Sequence, residues 1–426
     1  MNPLCKPAEH VNRRAFLKGT LATASGAAVA NFGSLFHSTS IAAEVGKKAK
    51  HCILLWMNGG ASQIDTFDMK PGTYNGGPFR PIQTKVSGLD VCEYLPKVGK
   101  HAEKLAVIRS MKTTQPDHPD GIRSMHIGHK IEVKVNHPEL GSIIAKFHGD
   151  PDADIPSCIN LGGVGYGGSG GAGFLGPKYQ PFSVGRDGRL PYFTQGYLKP
   201  ENEQRRNELL RFMETEFKAE HKVDAFEAHR LAKEKSWKLL QAKGVFDTNA
   251  EWAKNKDLYG PSEFGRGCMM ARRLVEAGVS FIEVGQENYD SHADNFTVHK
   301  ASLGVLDPAW SGLMTDLQQR GLLDCTLIIW MGEVGRTPSI NNRIGRDHYI
   351  NGWTIVLAGC GIKGGTVYGA TNPNGVGVKD NPVGEGDLFA TIFTALGINP
   401  RAKHFVGTRP IPLAPESSKI VKEILI

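Results

Sequence analysis

The stretch Thr326-Leu-Ile-Ile-Trp-Met-Gly-Glu333-Val-Gly-Arg336-Thr-Pro338, followed closely by Gly345-Arg346-Asp347-His348, decides how the rest of the chain reads. The run Thr326–Met331 is apolar and β-branched enough to predict a fully buried strand, and a carboxylate and an arginine come directly after it. Glu333, two residues past such a run, sits where a carboxylate is normally paired or metal-bound. Asp347-His348 then arrives just before a second apolar run, Trp353–Ala358. In open α/β sheets ligands bind outside the carboxyl ends of the strands, so charged and metal-ligating side chains placed there point to a site.

Further apolar runs predict strands at Cys52–Met57, Leu105–Ile108, Ile155–Leu161 and Val279–Val284. Helical patterns lie between several of them: Phe264–Ala277 stops at Gly278, Leu303–Arg320 at Gly321, and Asp387–Leu396 at Gly397. Helix then strand, repeated, predicts an α/β fold with a mostly parallel central sheet and helices on both faces. Residues 200–256 are rich in Glu, Lys, Arg and Ala and read as a solvated helical insertion or cap. Gly162–Gly176 is glycine-rich but lacks the Lys-Ser/Thr ending of a phosphate loop, so it reads as a surface loop near the site.

Three more segments carry candidate chemistry. Asn58-Gly-Gly-Ala-Ser-Gln-Ile-Asp65-Thr-Phe-Asp68 leaves the first strand on a glycine turn. Thr113-Thr114-Gln-Pro-Asp117-His118 follows the Leu105 run. His118 is its candidate for acid/base work or ligation, while His126 and His129, one helical step apart, read as solvated. Tyr289-Asp290-Ser-His292-Ala-Asp294 follows the Val279 run and is dense in oxygen and imidazole donors. Each segment alone has a plain structural explanation, a capped turn or a loop-pinning Glu333–Arg336 ion pair. All four together make a mixed carboxylate and histidine set able to bind one or two divalent cations, with Zn, Mn or Fe suited better than Ca. Arg336 is the candidate for a bidentate clamp on an anionic oxygen.

At 426 residues, 40% hydrophobic and 22% charged, the composition is that of an ordinary globular protein, and its 51 glycines imply many tight turns. Asn12-Arg13-Arg14-Ala-Phe-Leu-Lys18, a short Gly/Ala-rich apolar stretch and Ser40-Ile-Ala-Ala43 predict a twin-arginine secretion signal over residues 1–43. The apolar stretch is short and glycine-rich, so cleavage is expected and no stable membrane span after it. This places the protein in the periplasm or otherwise outside the cytoplasm, exported folded by the twin-arginine machinery, with residues 44–426 as the mature domain. Without residues 1–43 the net charge falls from +7 to +4, 46 basic against 42 acidic residues. That balance, with no basic stripe bearing interleaved aromatics, argues against nucleic acid as a partner. Seven widely spaced cysteines with no C-x-x-C pair indicate neither a zinc ribbon nor a disulfide scaffold.

The strings RRAFLK, NGGASQIDTFDMKPG, GFLGPKYQPF, ARRLVEAGVSFIEV, YDSHADNF, GEVGRTPSINN, GRDHYINGWTIVLAGCGIKGGTVYGATN and DLFATIFTALGI run through nearly the whole chain. On them the chain resembles the family known as domain of unknown function 1501, which looks like a branch of the alkaline phosphatase/sulfatase superfamily. The resemblance implies an alkaline phosphatase-like fold and a metal-dependent hydrolase of anionic phosphate or sulfate esters. It also implies metal-ligand roles for Asp290, His292 and His348. Glu333 falls in the slot of an Asp of an Asp-His pair, with Val334 where the His would be. Asn58 falls in the slot of a metal-binding Asp, for which Asp65 is the expected substitute. Asp347 is expected to orient His348 or to join the ligands. The expected nucleophile is not evident; its slot offers Thr113, Thr114, Asp117 and His118. The alternative is a non-catalytic binding or scaffold protein that keeps the fold after losing the nucleophile, and a metal-free structural domain is a third reading.

Overall fold

The structure, a computed structural model, describes residues 51–132, 135–162, 170–190 and 242–426, with scattered positions between 202 and 212. The expected secretion signal and most of the 200–256 segment lie outside the described residues, as do residues 163–169 of the glycine-rich stretch.

Eight strands form the central sheet: β1 His51–Met57, β2 Leu105–Met111, β3 Cys158–Leu161, β4 Phe182–Val184, β5 Phe281–Gln286, β6 Thr326–Met331, β7 Trp353–Gly359 and β8 Thr366–Tyr368. Their order across the sheet is β8-β2-β7-β6-β1-β5-β3-β4. Strand β1 is central, paired in parallel with β5 and β6, and every residue of it is buried. Such double burial is why it reads as an unbroken apolar run rather than an alternating one. Only β7 runs against its neighbours, antiparallel to both β6 and β2. Its amino-terminal end therefore shares an edge with the carboxyl ends of β1, β2, β5 and β6. That reversal brings Asp347 and His348, which precede a strand, to the edge where the other site segments follow theirs.

Side chains alternate across β1. Ile53, Leu55 and Met57 face α4 (Glu263–Glu276) and α5 (Asn295–Gln319), where Cys268, Leu306 and Trp310 complete one core. Cys52, Leu54 and Trp56 face α1 (His118–Ile127), α2 (Leu140–His148) and α6 (Glu385–Ala395), with Ile122, Ile144 and Phe389 in the other core. Helix α3 (Asn249–Tyr259), which includes the last residues of the expected insertion, packs on α4 and α5. The expected mostly parallel sheet covered on both faces is thus the observed one. All six cysteines in the described residues are free and buried. No helix of the described residues is long and apolar enough to cross a membrane.

Candidate metal centre

The site is assembled from three loops at one sheet edge. Helix α1 starts just beyond β2; the Asp117 side chain caps it by accepting from the Asp120 N–H, which sets His118 at its first position. The loop after β5 carries Asp290 and His292. A short antiparallel pairing of Gly335–Arg336 with His348–Tyr349 holds the segment before β7 against the one after β6.

Ligand-type atoms of His118, Asp290, His292 and His348 come together, all within 4.8 Å of one another. The Nε2 atoms of His118 and His292 lie 3.3 and 3.1 Å from Asp290 oxygens, and that of His348 lies 3.5 Å away. The other nitrogen of each ring is held from behind by an oxygen. His118 Nδ1 meets Glu333 Oε1 at 2.7 Å, His292 Nδ1 meets Asp347 Oδ1 at 2.6 Å, and His348 Nδ1 meets the Pro116 carbonyl at 2.6 Å. An ionised carboxylate or a carbonyl can only accept, so these bonds place a ring proton on each Nδ1 and turn each Nε2 toward Asp290. Oxygen partners behind metal-binding imidazoles are the usual arrangement, fixing tautomer and direction.

The Nε2 atoms of His292 and His348 are only 3.1 Å apart. Two ring nitrogens that close, beside a carboxylate, make a favourable contact only with a cation or proton between them. Metal–nitrogen bonds of about 2.0–2.1 Å put neighbouring ligand atoms roughly 3.0–3.4 Å apart, and the His118–Asp290, His292–Asp290 and His292–His348 contacts, at 3.3, 3.1 and 3.1 Å, fall in that range. The donor set therefore fits a divalent ion. The four side chains are 12 to 39% exposed, so solvent reaches the centre.

Charge in the site follows from its neighbours. Burial acts against ionised Asp290, but the Arg336 guanidinium at 2.7 Å, together with His118 and His292, outweighs it and holds the carboxyl below its usual range. Burial, then Arg336, lowers His348, which favours its neutral, ligating form. For His118 burial is opposed by the hydrogen bond and charge of Glu333 and by Asp290, and the net effect is upward. A cation entering the site competes with a proton there.

The remaining sequence expectations fall out differently. Asp65 is not in the cluster: it is fully buried against Arg346, 2.8 Å away, and also accepts from Ser62 Oγ and Asn295 Nδ2. Asn58 also stays outside, donating to Glu287 at 2.9 Å. Glu333 lies behind His118 and accepts from the Gly59 N–H, rather than contributing to the four-residue group. Asp347 turns to His292, not to His348. Arg336 is fully buried and points its donors at the Gly59, Gly60 and Arg346 carbonyls and at Asp290, so its fork is occupied within the fold. His118 joins the cluster. His126, expected in solvent, is instead buried on α1 with Nδ1 on the Ile122 carbonyl and Nε2 3.4 Å from Glu283. The pairing of a β-strand glutamate with a helix histidine gives no local sequence signal.

An open α/β sheet whose strand ends gather three histidines and an aspartate defines a class of protein with a metal-type centre at the sheet edge. More particularly, the model of the family described as "Protein of unknown function (DUF1501)" matches residues 49–425, and the chain belongs to that family. Among solved structures it is similar to a sulfatase from Pseudoalteromonas sp., at 16% identity and a TM-score of 0.41, covering 84% of this chain and 70% of that one. It is similar also to a protein in the alkaline phosphatase superfamily from Vibrio parahaemolyticus, at 11% identity and a TM-score of 0.41, covering 82% and 67%. A third is the lipoteichoic acid synthase LtaP from Listeria monocytogenes, at 9% identity and a TM-score of 0.38, covering 89% and 81%. These likenesses are remote. No curated protein matches the chain.

Proposed function

We propose that the chain is a metal-dependent hydrolase of phosphate or sulfate esters that works outside the cytoplasm. The observation that carries the reading is the convergence of three imidazole Nε2 atoms on one carboxylate, each ring held from behind by an oxygen. His118, Asp290, His292 and His348 would hold a single divalent ion, with zinc, manganese or iron suited to the donors. The ion would supply Lewis acidity towards an ester oxyanion and towards water. Glu333 and Asp347 keep two of the rings aimed inward, and Arg336 keeps Asp290 ionised. The open side of the centre is where an anionic ester would approach. Export rests on the string Arg13-Arg14-Ala-Phe-Leu-Lys18, which supports passage through the twin-arginine machinery in the folded state.

A specific observation favours the second reading, a binding or scaffold protein. The hydroxyls near the expected nucleophile slot are engaged elsewhere: Thr113 Oγ1 accepts from Trp353 Nε1, and Thr114 Oγ1 donates to Glu385. A hydrolase built on this centre would use water directly rather than a hydroxyl side chain. The test is elemental analysis of purified protein and a screen of phosphate and sulfate esters, with His348→Ala alongside. Stoichiometric metal and turnover that disappears in His348→Ala support the enzyme. Metal without turnover on any ester class leaves the binding reading, and protein that takes up no divalent ion removes both in favour of a structural domain.

A further inference from the structure

The geometry points to Asp65 as the residue that positions the metal centre without touching it, an inference that rests on the metal reading above. Asp65 and Arg346 form an ion pair with both side chains fully buried. Arg346 is the residue before Asp347-His348, and its guanidinium also reaches the Asn75 carbonyl at 2.9 Å and the Thr337 and Pro338 carbonyls. Asp65 thereby ties down the start of the segment that carries one histidine of the centre and the carboxylate behind another.

The same Asp65 oxygen accepts from Asn295 Nδ2 at 2.9 Å. Asn295 in turn accepts from Ser291 Oγ at 2.7 Å, between Asp290 and His292, and the Arg346 N–H donates to the Ser291 carbonyl at 2.9 Å. The third bond, from Ser62 Oγ at 2.6 Å, anchors the carboxylate to the turn after β1. One buried carboxylate thus joins the Asp290–His292 loop, the Asp347–His348 segment and the central strand. The four ligands come from three segments, and Asp65 cross-links two of them, the Asp290–His292 loop and the Asp347–His348 segment. Partners behind metal ligands are commonly worth 10- to 100-fold in affinity, and Asp65 acts on two ligand segments together.

The test compares wild type, Asp65→Asn and Asn295→Ala, titrated with zinc and with cobalt(II). Asn295→Ala removes the side-chain tie from Asp65 to the Asp290–His292 loop but leaves the Asp65–Arg346 pair and the Arg346 N–H to Ser291 carbonyl bond in place. If Asp65→Asn does not fold, because Arg346 is left buried and unpaired, Asn295→Ala decides. The expected result is a metal affinity weakened about 10-fold or more in each folded variant, with a changed cobalt(II) absorption spectrum. A residue with a purely structural role would lower the melting temperature of the metal-free protein and leave affinity and spectrum unmoved. That result in the folded variants overturns the inference about Asp65 alone. Wild-type protein that binds neither ion overturns the metal reading itself.

Discussion

Replacing Glu283 by Gln reverses the pH dependence that the buried His126 gives to stability. In the wild-type fold burial works against the charged imidazole, but the charge of Glu283, with Glu139 and the Ile122 carbonyl, outweighs it and pushes His126 up to about 9 from 6.5. The folded state then holds a proton that the unfolded chain releases. The stabilisation is complete below pH 6.5 and is lost as pH rises through about 9. At about 1.4 kcal/mol per pKa unit the loss is on the order of 3 kcal/mol, comparable with the roughly 3–5 kcal/mol cost of breaking a buried pair. In Glu283→Gln the dominant remaining influence is burial, so His126 becomes a neutral core residue and stability falls as the solution is acidified through the ordinary histidine range. The assay is urea unfolding followed by tryptophan fluorescence across pH 6.5 to 9 for both proteins, taking the difference so that other titrating groups cancel. Parallel wild-type and variant curves over that window would refute the charged-pair account of His126.

Three further outcomes follow from the centre itself. Asp347→Asn removes the carboxylate behind His292 and is expected to weaken zinc affinity about 10- to 100-fold with little change in melting temperature, read by competition with a chromophoric chelator. Gly59→Ala places a Cβ 2.3 Å from the Asp290 backbone nitrogen at a φ of +101°, and should cost about 2 kcal/mol or more by denaturation while also lowering metal content. Arg336→Lys cannot serve four acceptors and should lose about 1–3 kcal/mol of stability. If Arg336 were instead a substrate clamp, the variant would keep its stability and show a raised KM, which separates the two roles in one preparation.

The sheet is legible in the sequence because its central strands are buried on both faces and read as apolar runs, Thr326–Met331 to the residue. β2 extends past the expected Ile108 to Met111 because Arg109 and Ser110 interrupt the apolar run. The edge strands β4 and β8 are three residues each and carry too little pattern to stand out. Helix α1 went unread although Asp117 and Pro119 are start signals, since His118, Asp120, Gly121 and Arg123 break its apolar period. Residue types at strand ends singled out Asp290, His292, His348 and His118, which the structure brings into one cluster. They did not separate the clustered residues from those around them, because a carboxylate facing the cluster and one facing Arg346 look alike in sequence. The fate of Asp65 and the occupied fork of Arg336 are set by partners some 280 residues away or by backbone carbonyls, as with the Asp65–Arg346 pair itself.

The antiparallel course of β7 has a consequence for when the centre comes into being. Its donors arise at residues 118, 290, 292 and 348, and the last is delivered only once β7 has slotted between β6 and β2. A chain folded up to β5 would own just the Asp290 and His292 pair beside one distant imidazole, a weak chelator. Ion capture by this cluster would therefore be a late event, conditional on nearly complete assembly. A bound cation would act as a seal on finished molecules, favouring them over partly built ones in proportion to its free concentration.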